Sequence, residues 1–118
     1  MRATDVTDLL ARYRIVGLTE AVVQDQIERA LRQEGIEYER EVELAPRDRI
    51  DFMVGPVGVE VKIKGTRAQI IRQLARYVRN DRVEEIILAA TSRRVLTSAP
   101  DEITGMPITK HLLQGGIL

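Results

Sequence analysis

The sequence predicts an α/β domain: a mixed β-sheet that begins as an antiparallel meander, gains further strands, and carries helices on its faces. Three observations lead there. Apolar residues recur at helical spacing between a capping Thr19 and a stopping Gly35. The period changes to strict alternation over residues 36–63, interrupted twice by turn residues. After a second helical stretch, Val83 to Ala90 is an almost unbroken apolar run, as expected of a strand buried on both faces. The chain of 118 residues is of single-domain size, and residues 1–118 are read as one domain.

Taken in order, Thr4 caps a short helix over 4–13, with Val6, Leu9, Leu10 and Tyr13 on one side. Gly17-Leu18 breaks it, and a stronger helix follows over 20–34, carrying Val23, Ile27, Ala30 and Leu31. Ile36, Tyr38, Val42 and Leu44 alternate as a first strand, and Ala45-Pro46-Arg47-Asp48 is a turn. Ile50, Phe52 and Val54 form a second strand, Gly55 to Gly58 a four-residue loop, and Val59, Val61 and Ile63 a third strand. Gly65-Thr66 opens a helix over 67–79, with Ile70, Ile71, Leu74, Tyr77 and Val78 on its apolar face. The strand at 83–90 leads into a connection at 93–104 with a helical turn. A last strand over 106–113 is placed at the edge of the sheet, where Pro107 is tolerated.

Composition excludes several functions. With no Cys there is no disulfide, zinc finger or thiol catalysis, and a single His111, read as structural or exposed, leaves no His-rich metal site. No apolar run approaches the roughly 18 residues of a membrane span, so no membrane partner is expected. Met1-Arg2-Ala3-Thr4-Asp5 leads into a charged stretch, so no signal peptide is expected and a cytoplasmic location is the expectation. The net charge of zero argues against a uniformly basic nucleic-acid binder. The zero hides a separation, however. Residues 20–43 hold eight acids against three Arg, and residues 62–94 hold nine bases against three acids. Such a basic half is a hint of a polyanion-facing side.

The second hairpin carries the chemistry. A four-residue loop at 55–58 sets Asp51 opposite Lys62, with Cβ atoms about 5 Å apart, and sets Glu60 diagonal to Asp51 at about 7–8 Å. All three then share one face, while Phe52, Val54, Val59, Val61 and Ile63 make the other face apolar. Two carboxylates at that spacing reach one hard cation, since Mg²⁺ is commonly held by one or two carboxylates plus water and phosphate. A neighbouring ammonium can activate a bound water or neutralise charge on a phosphate. The competing reading is a hairpin whose crossed charges serve only solubility.

Asp51 followed across a hairpin by Glu60-Val61-Lys62 resembles the PD-(D/E)xK phosphodiesterase superfamily. Glu20 at the start of an upstream helix is similar to the extra helical acid of its Holliday-junction-resolvase-like and virus-type replication-repair nuclease branches. Gln73-Leu74-Ala75-Arg76-Tyr77 matches the Q-x-x-x-Y motif of its RecB-like members. Ile50 stands where the family often has Pro, no His precedes the first strand, and Asp48 rivals Asp51 but lies in the turn. The resemblance spans residues 20 to about 90 and implies a restriction-endonuclease-like sheet. It also implies a Mg²⁺- or Mn²⁺-dependent deoxyribonuclease leaving 5′-phosphate and 3′-hydroxyl ends.

The resemblance implies roles as well. Asp51, Glu60 and Glu20 hold the metal, with the Val61 carbonyl as a further ligand. Lys62 positions the attacking water, and Gln73 orients the metal shell or a phosphate. Lys64, Arg67, Arg72, Arg76 and Arg79, with Tyr77 beside them, form the expected nucleic-acid-binding set. The function expected is a DNA nuclease, structure-selective for branched or junction DNA, working as a homodimer because one small domain offers little DNA-binding surface. The alternative is a catalytically inactive nuclease fold that binds nucleic acid or supports assembly.

Overall fold

In a computed structural model of the chain, described over residues 1–113, the elements are α1 (Ala3–Leu10), α2 (Glu20–Gln33), β1 (Glu39–Ala45), β2 (Asp48–Val54), β3 (Val57–Lys62), α3 (Arg67–Val78), β4 (Glu85–Ala90), α4 (Arg93–Thr97), β5 (Glu102–Ile103) and β6 (Met106–Leu112). The strands form one mixed sheet in the order β1-β2-β3-β4-β6-β5. β1, β2 and β3 are the antiparallel meander, β4 lies parallel to both β3 and β6, and β5 closes antiparallel on β6. The fold is thus the α/β class that the periodicities predict.

Two apolar layers form because each strand alternates. Phe52, Val59, Val61, Ile87 and Ala89 pack with Val6, Leu10, Val23, Ile27 and Leu31 of α1 and α2. Met53, Ile86, Leu88 and Ala90 pack with Ile70, Leu74 and Tyr77 of α3 and with Val95 and Leu96 of α4. β4 feeds both layers, which is why its sequence carries no alternation. Among the described residues no helix is long and apolar enough to cross a membrane.

The structure corrects several expectations. The second hairpin turns on Gly55 and Pro56 alone. The pairs are Val54 with Val57, Met53 with Gly58 and Phe52 with Val59, not Val54 with Val59. Gly55 has φ +56, which suits a primed two-residue turn. The slip is two residues, so Phe52, Val54, Val59 and Val61 keep their expected face, but Asp51 now stands opposite Glu60 instead of Lys62. Ile50 lies in the α3 layer and not with Phe52. The first hairpin likewise turns on two residues, Pro46 and Arg47, and Asp48 begins β2.

α1 starts before Thr4 and ends at Leu10; the Asp5 carboxylate accepts the Arg2 amide at its start (2.8 Å). β1 begins at Glu39, with Ile36 and Tyr38 packed against the core ahead of it. The connection after β4 contains α4 and the short β5. β5 pairs with β6 at Met106 and Pro107; from Ile108 to Leu112 β6 pairs with β4 and, among the described residues, leaves its other side as a sheet edge. His111 is half-buried, and its Nε2 is enclosed without a hydrogen-bond partner among the described residues.

Gly58 sits where a Cβ would lie 2.5 Å from Ile50 Cδ1. Gly58→Ala should therefore destabilise the fold by about 1–3 kcal/mol in urea unfolding. In an Ile50→Val background, which lacks that methyl, the penalty should shrink; an unchanged penalty would place the strain elsewhere.

Candidate active site at the opened end of a hairpin

The β2–β3 ladder ends at Phe52 and Val59. Beyond it the two acids take over the main-chain hydrogen bonding. Asp51 Oδ2 accepts the Val61 amide at 2.7 Å, and Glu60 Oε1 accepts the Asp51 amide at 3.4 Å. The strand slips phase at this point: Ile50 and Met53 both join the α3 layer, while Phe52 faces α1 and α2. Asp51 thus lies between strands that have parted, and both acids are buried, at 8% and 2% exposure. Buried amides need acceptors, and here carboxylates supply them.

Helix α2 brings a third acid. Thr19 caps it by accepting the Val22 amide at 3.2 Å. Arg40 on β1 clamps it to the sheet through Asp25 (2.8 Å) and Glu28 (3.0 Å), and the Tyr38 hydroxyl donates to Glu28 at 2.7 Å. Held this way, Glu20 Oε2 accepts the Ile63 amide at 3.3 Å, just past the end of β3. A fourth acid, Glu41, stands across β1 from Asp51, with φ +55 in mid-strand. Sequence reading missed Glu41. It is one of four alternating acids at 37–43, and nothing in that spacing marks the backbone distortion.

On the other side, Lys62 Nζ lies 3.4 Å from Glu60 Oε2. Thr66 and Gln69 close a reciprocal capping box at the start of α3, so Gln69 serves the helix. Between α3 and the end of β3 is a cleft of about 350 Å³ lined by Lys62, Lys64, Gln69, Arg72, Gln73 and Arg76. Arg76 is engaged with Asp48 at 2.7 Å, which also removes Asp48 as a rival to Asp51. Arg79 lies elsewhere, beside Leu44 and Asn80, and Arg67 lines a neighbouring cavity. Tyr77, expected to touch nucleic acid, is 1% exposed, and its hydroxyl donates to the Arg49 carbonyl at 2.7 Å.

The electrostatics follow from burial. Asp51 is pushed up to about 6 by desolvation, with the Val61 amide opposing the shift, Glu41 and Glu20 adding to it, and Lys62 offsetting part. Glu60 is pushed up to about 8, again by desolvation first and by Asp51 second, against the pull of Lys62. Desolvation, then Glu60 and Asp51, also drive the Tyr77 phenol upward, while Gln73 opposes them.

Two buried carboxylates on adjacent strands suit a hard divalent cation, which is commonly held by one or two of them. Asp51 and Glu60 are the pair that would hold it. Glu20 does not join them in a ready-made cluster: among the described residues, no three Asp, Glu or His side chains stand close enough together to hold a metal. None of the family models, curated proteins or solved structures compared with the chain matches it.

Both raised carboxyls mean that the folded state keeps protons the unfolded chain has lost. Stability should therefore fall as pH rises from about 4.5 to about 8. Glu60→Gln removes the larger share of that cost. In chelator at pH 9 its Tm should exceed that of the unmutated chain by at least about 4 °C, roughly 1 kcal/mol at this size. The gap should close toward pH 4.5; a variant less stable at both pH values would refute the buried-charge account.

Proposed function

We propose that the chain is a metal-dependent DNA nuclease that hydrolyses phosphodiester bonds, selective for branched or junction DNA. The observation that carries this reading is the buried pair Asp51 and Glu60 with Lys62 Nζ 3.4 Å from Glu60, Lys62 in turn lining a cleft with Lys64, Arg72 and Arg76. The resemblance of Asp51, Glu60-Val61-Lys62 and Gln73 to the PD-(D/E)xK pattern supports it further.

In this reading, Asp51 and Glu60 hold Mg²⁺ or Mn²⁺, assisted by the Val61 carbonyl and, through water, by Glu20. When bound, the metal lowers the pKa of its water and stabilises charge on the phosphate. Lys62 orients the nucleophile and meets the charge that develops on the scissile group. Gln73 faces the same cleft and positions the phosphate, while Lys64 and Arg72 hold the backbone on either side. Buried neighbours keep Asp51 and Glu60 from water, which strengthens their hold on a cation. The lack of cysteine fits a cytoplasmic location, and the small size fits a homodimer that presents two sites to two strands.

Labelled linear, flap and four-way-junction DNAs should be cut with Mg²⁺ or Mn²⁺ and left whole in chelator. Asp51→Ala, Glu60→Ala and Lys62→Ala should each lose at least about 100-fold in rate. Variants that fold and cut as well as the unmutated chain would overturn the assignment, and DNA binding without cleavage would favour the inactive module. Sedimentation should give twice the chain mass at micromolar concentration; a monomer would refute the dimer.

A further inference from the structure

Beside the first cleft lies a second cavity, of about 610 Å³, lined by Ile63, Lys64, Arg67, Ser92, Arg94 and Val95 among others. It sits at the carboxyl ends of the parallel strands β3 and β4, between the loop that leads into α3 and the first turn of α4. Three of its side chains are cationic and none is acidic. Among the described residues, the side chains of Lys64 and Arg94 have neither an ion pair nor a hydrogen bond. Elsewhere the chain pairs many of its bases: Arg12, Arg40, Arg76 and Arg82 all meet acids. Cations left unpaired around a concave, acid-free wall are placed for an anion from outside the chain.

The two cavities share Lys64 and Gly65 as a common wall. The backbone turns sharply there, at φ +146 for Gly65, so that Lys64 stands on a ridge between them. Arg67, also in the lining of the second cavity, donates its Nη1 to the Ser98 carbonyl at 2.7 Å and so ties the start of α3 to the end of α4. The Lys64–Gly65 wall thus separates the first cleft, along α3, from the second, between α3 and α4.

We propose that the second cavity receives the phosphates of a second DNA strand, the one not cut, where it parts from the first at a branch. This rests on the nuclease reading for the identity of the polymer. Arg94 and Lys64 contact the phosphates, Ser92 is placed to donate a hydrogen bond, and the Lys64–Gly65 ridge stands in the crotch of the branch. Phosphate contacts of this kind position a strand without reading its sequence, so the cavity would confer selectivity for shape.

The test measures binding in chelator, where no cutting occurs, by fluorescence anisotropy on a forked duplex and a linear duplex of equal length at one salt concentration. Arg94→Glu should weaken binding to the fork about tenfold and to the linear duplex less than about twofold. Arg93→Glu makes the same charge change next door, outside the cavity lining, and should not discriminate between the two DNAs. Arg94 is exposed, and circular dichroism with a melting curve checks that both variants fold.

Equal losses on fork and linear DNA for Arg94→Glu, no loss on either, or the same pattern in Arg93→Glu would each overturn the second-strand site. The nuclease reading is judged separately by cleavage. A chain that cuts DNA while Arg94→Glu binds the fork normally keeps that reading and loses this one. A chain that never cuts but loses fork preference in Arg94→Glu keeps the second-strand site alone.

Discussion

Two carboxylates lie side by side inside a β-sheet, and the rest of the molecule is arranged around that fact. A hairpin carrying ordinary apolar pairs would have closed its ladder past Phe52 and Val59. Here Asp51 and Glu60 hold it open, each accepting a main-chain amide of the opposite strand. Burying them is unfavourable, as their raised pKa values record. Apolar layers on both faces of the sheet offset that cost, and β4, buried from Ile86 to Ala90 beside β3, anchors the distorted pair. Strain of this kind persists only where the surroundings over-determine it. The positive φ of Glu41, directly across from Asp51, belongs to the same distortion.

The charge separation seen along the chain has a spatial counterpart. The acid-rich stretch builds α2 and β1, where Asp25, Glu28 and Glu34 are largely spent on Arg40, Arg32 and Arg12. What remains facing the site is Glu20 and Glu41. Glu39 and Glu43 line the outer strand β1, where charge discourages pairing with another sheet. The basic stretch builds the loop into α3, α3 itself and α4, and among the described residues it leaves Lys64, Arg72 and Arg94 without acidic partners on the side of the two cavities. Neutrality overall is therefore compatible with strongly unequal sides.

How much of this was legible follows from what periodicity encodes. The core was legible because alternation and helical spacing report which face is buried, and the parities of Glu60 and Lys62 came with it. The hairpin register was not, because slipping by two residues preserves every parity; only the turn geometry at Gly55 and Pro56 decides it. That is why Lys62 was matched with Asp51 when its partner is Glu60. The clamp of Arg40 on Asp25 and Glu28 joins residues 12 to 15 apart in different elements, and no local pattern announces it. β5 is two residues long, too short for any period to register. The basic stripe on α3 was legible as a stripe, but its partition was not. Arg76 turns to Asp48, Arg79 lies away from the cleft, and Arg72 stays in it with no partner among the described residues.

The helical motif Gln73-x-x-x-Tyr77 divides along the same lines. Both side chains point toward the sheet side of α3, one turn apart, yet they meet different surroundings. Gln73 reaches the cleft, whereas Tyr77 is sealed below it and spends its hydroxyl on the Arg49 carbonyl, two residues before Asp51. A buried phenol needs such a partner, and the one it finds is main chain of the strand that carries the first acid. Tyr77 therefore ties α3 to β2 beside the point where the hairpin opens. The tyrosine thus braces α3 against the strand that carries Asp51 without itself lining the cleft.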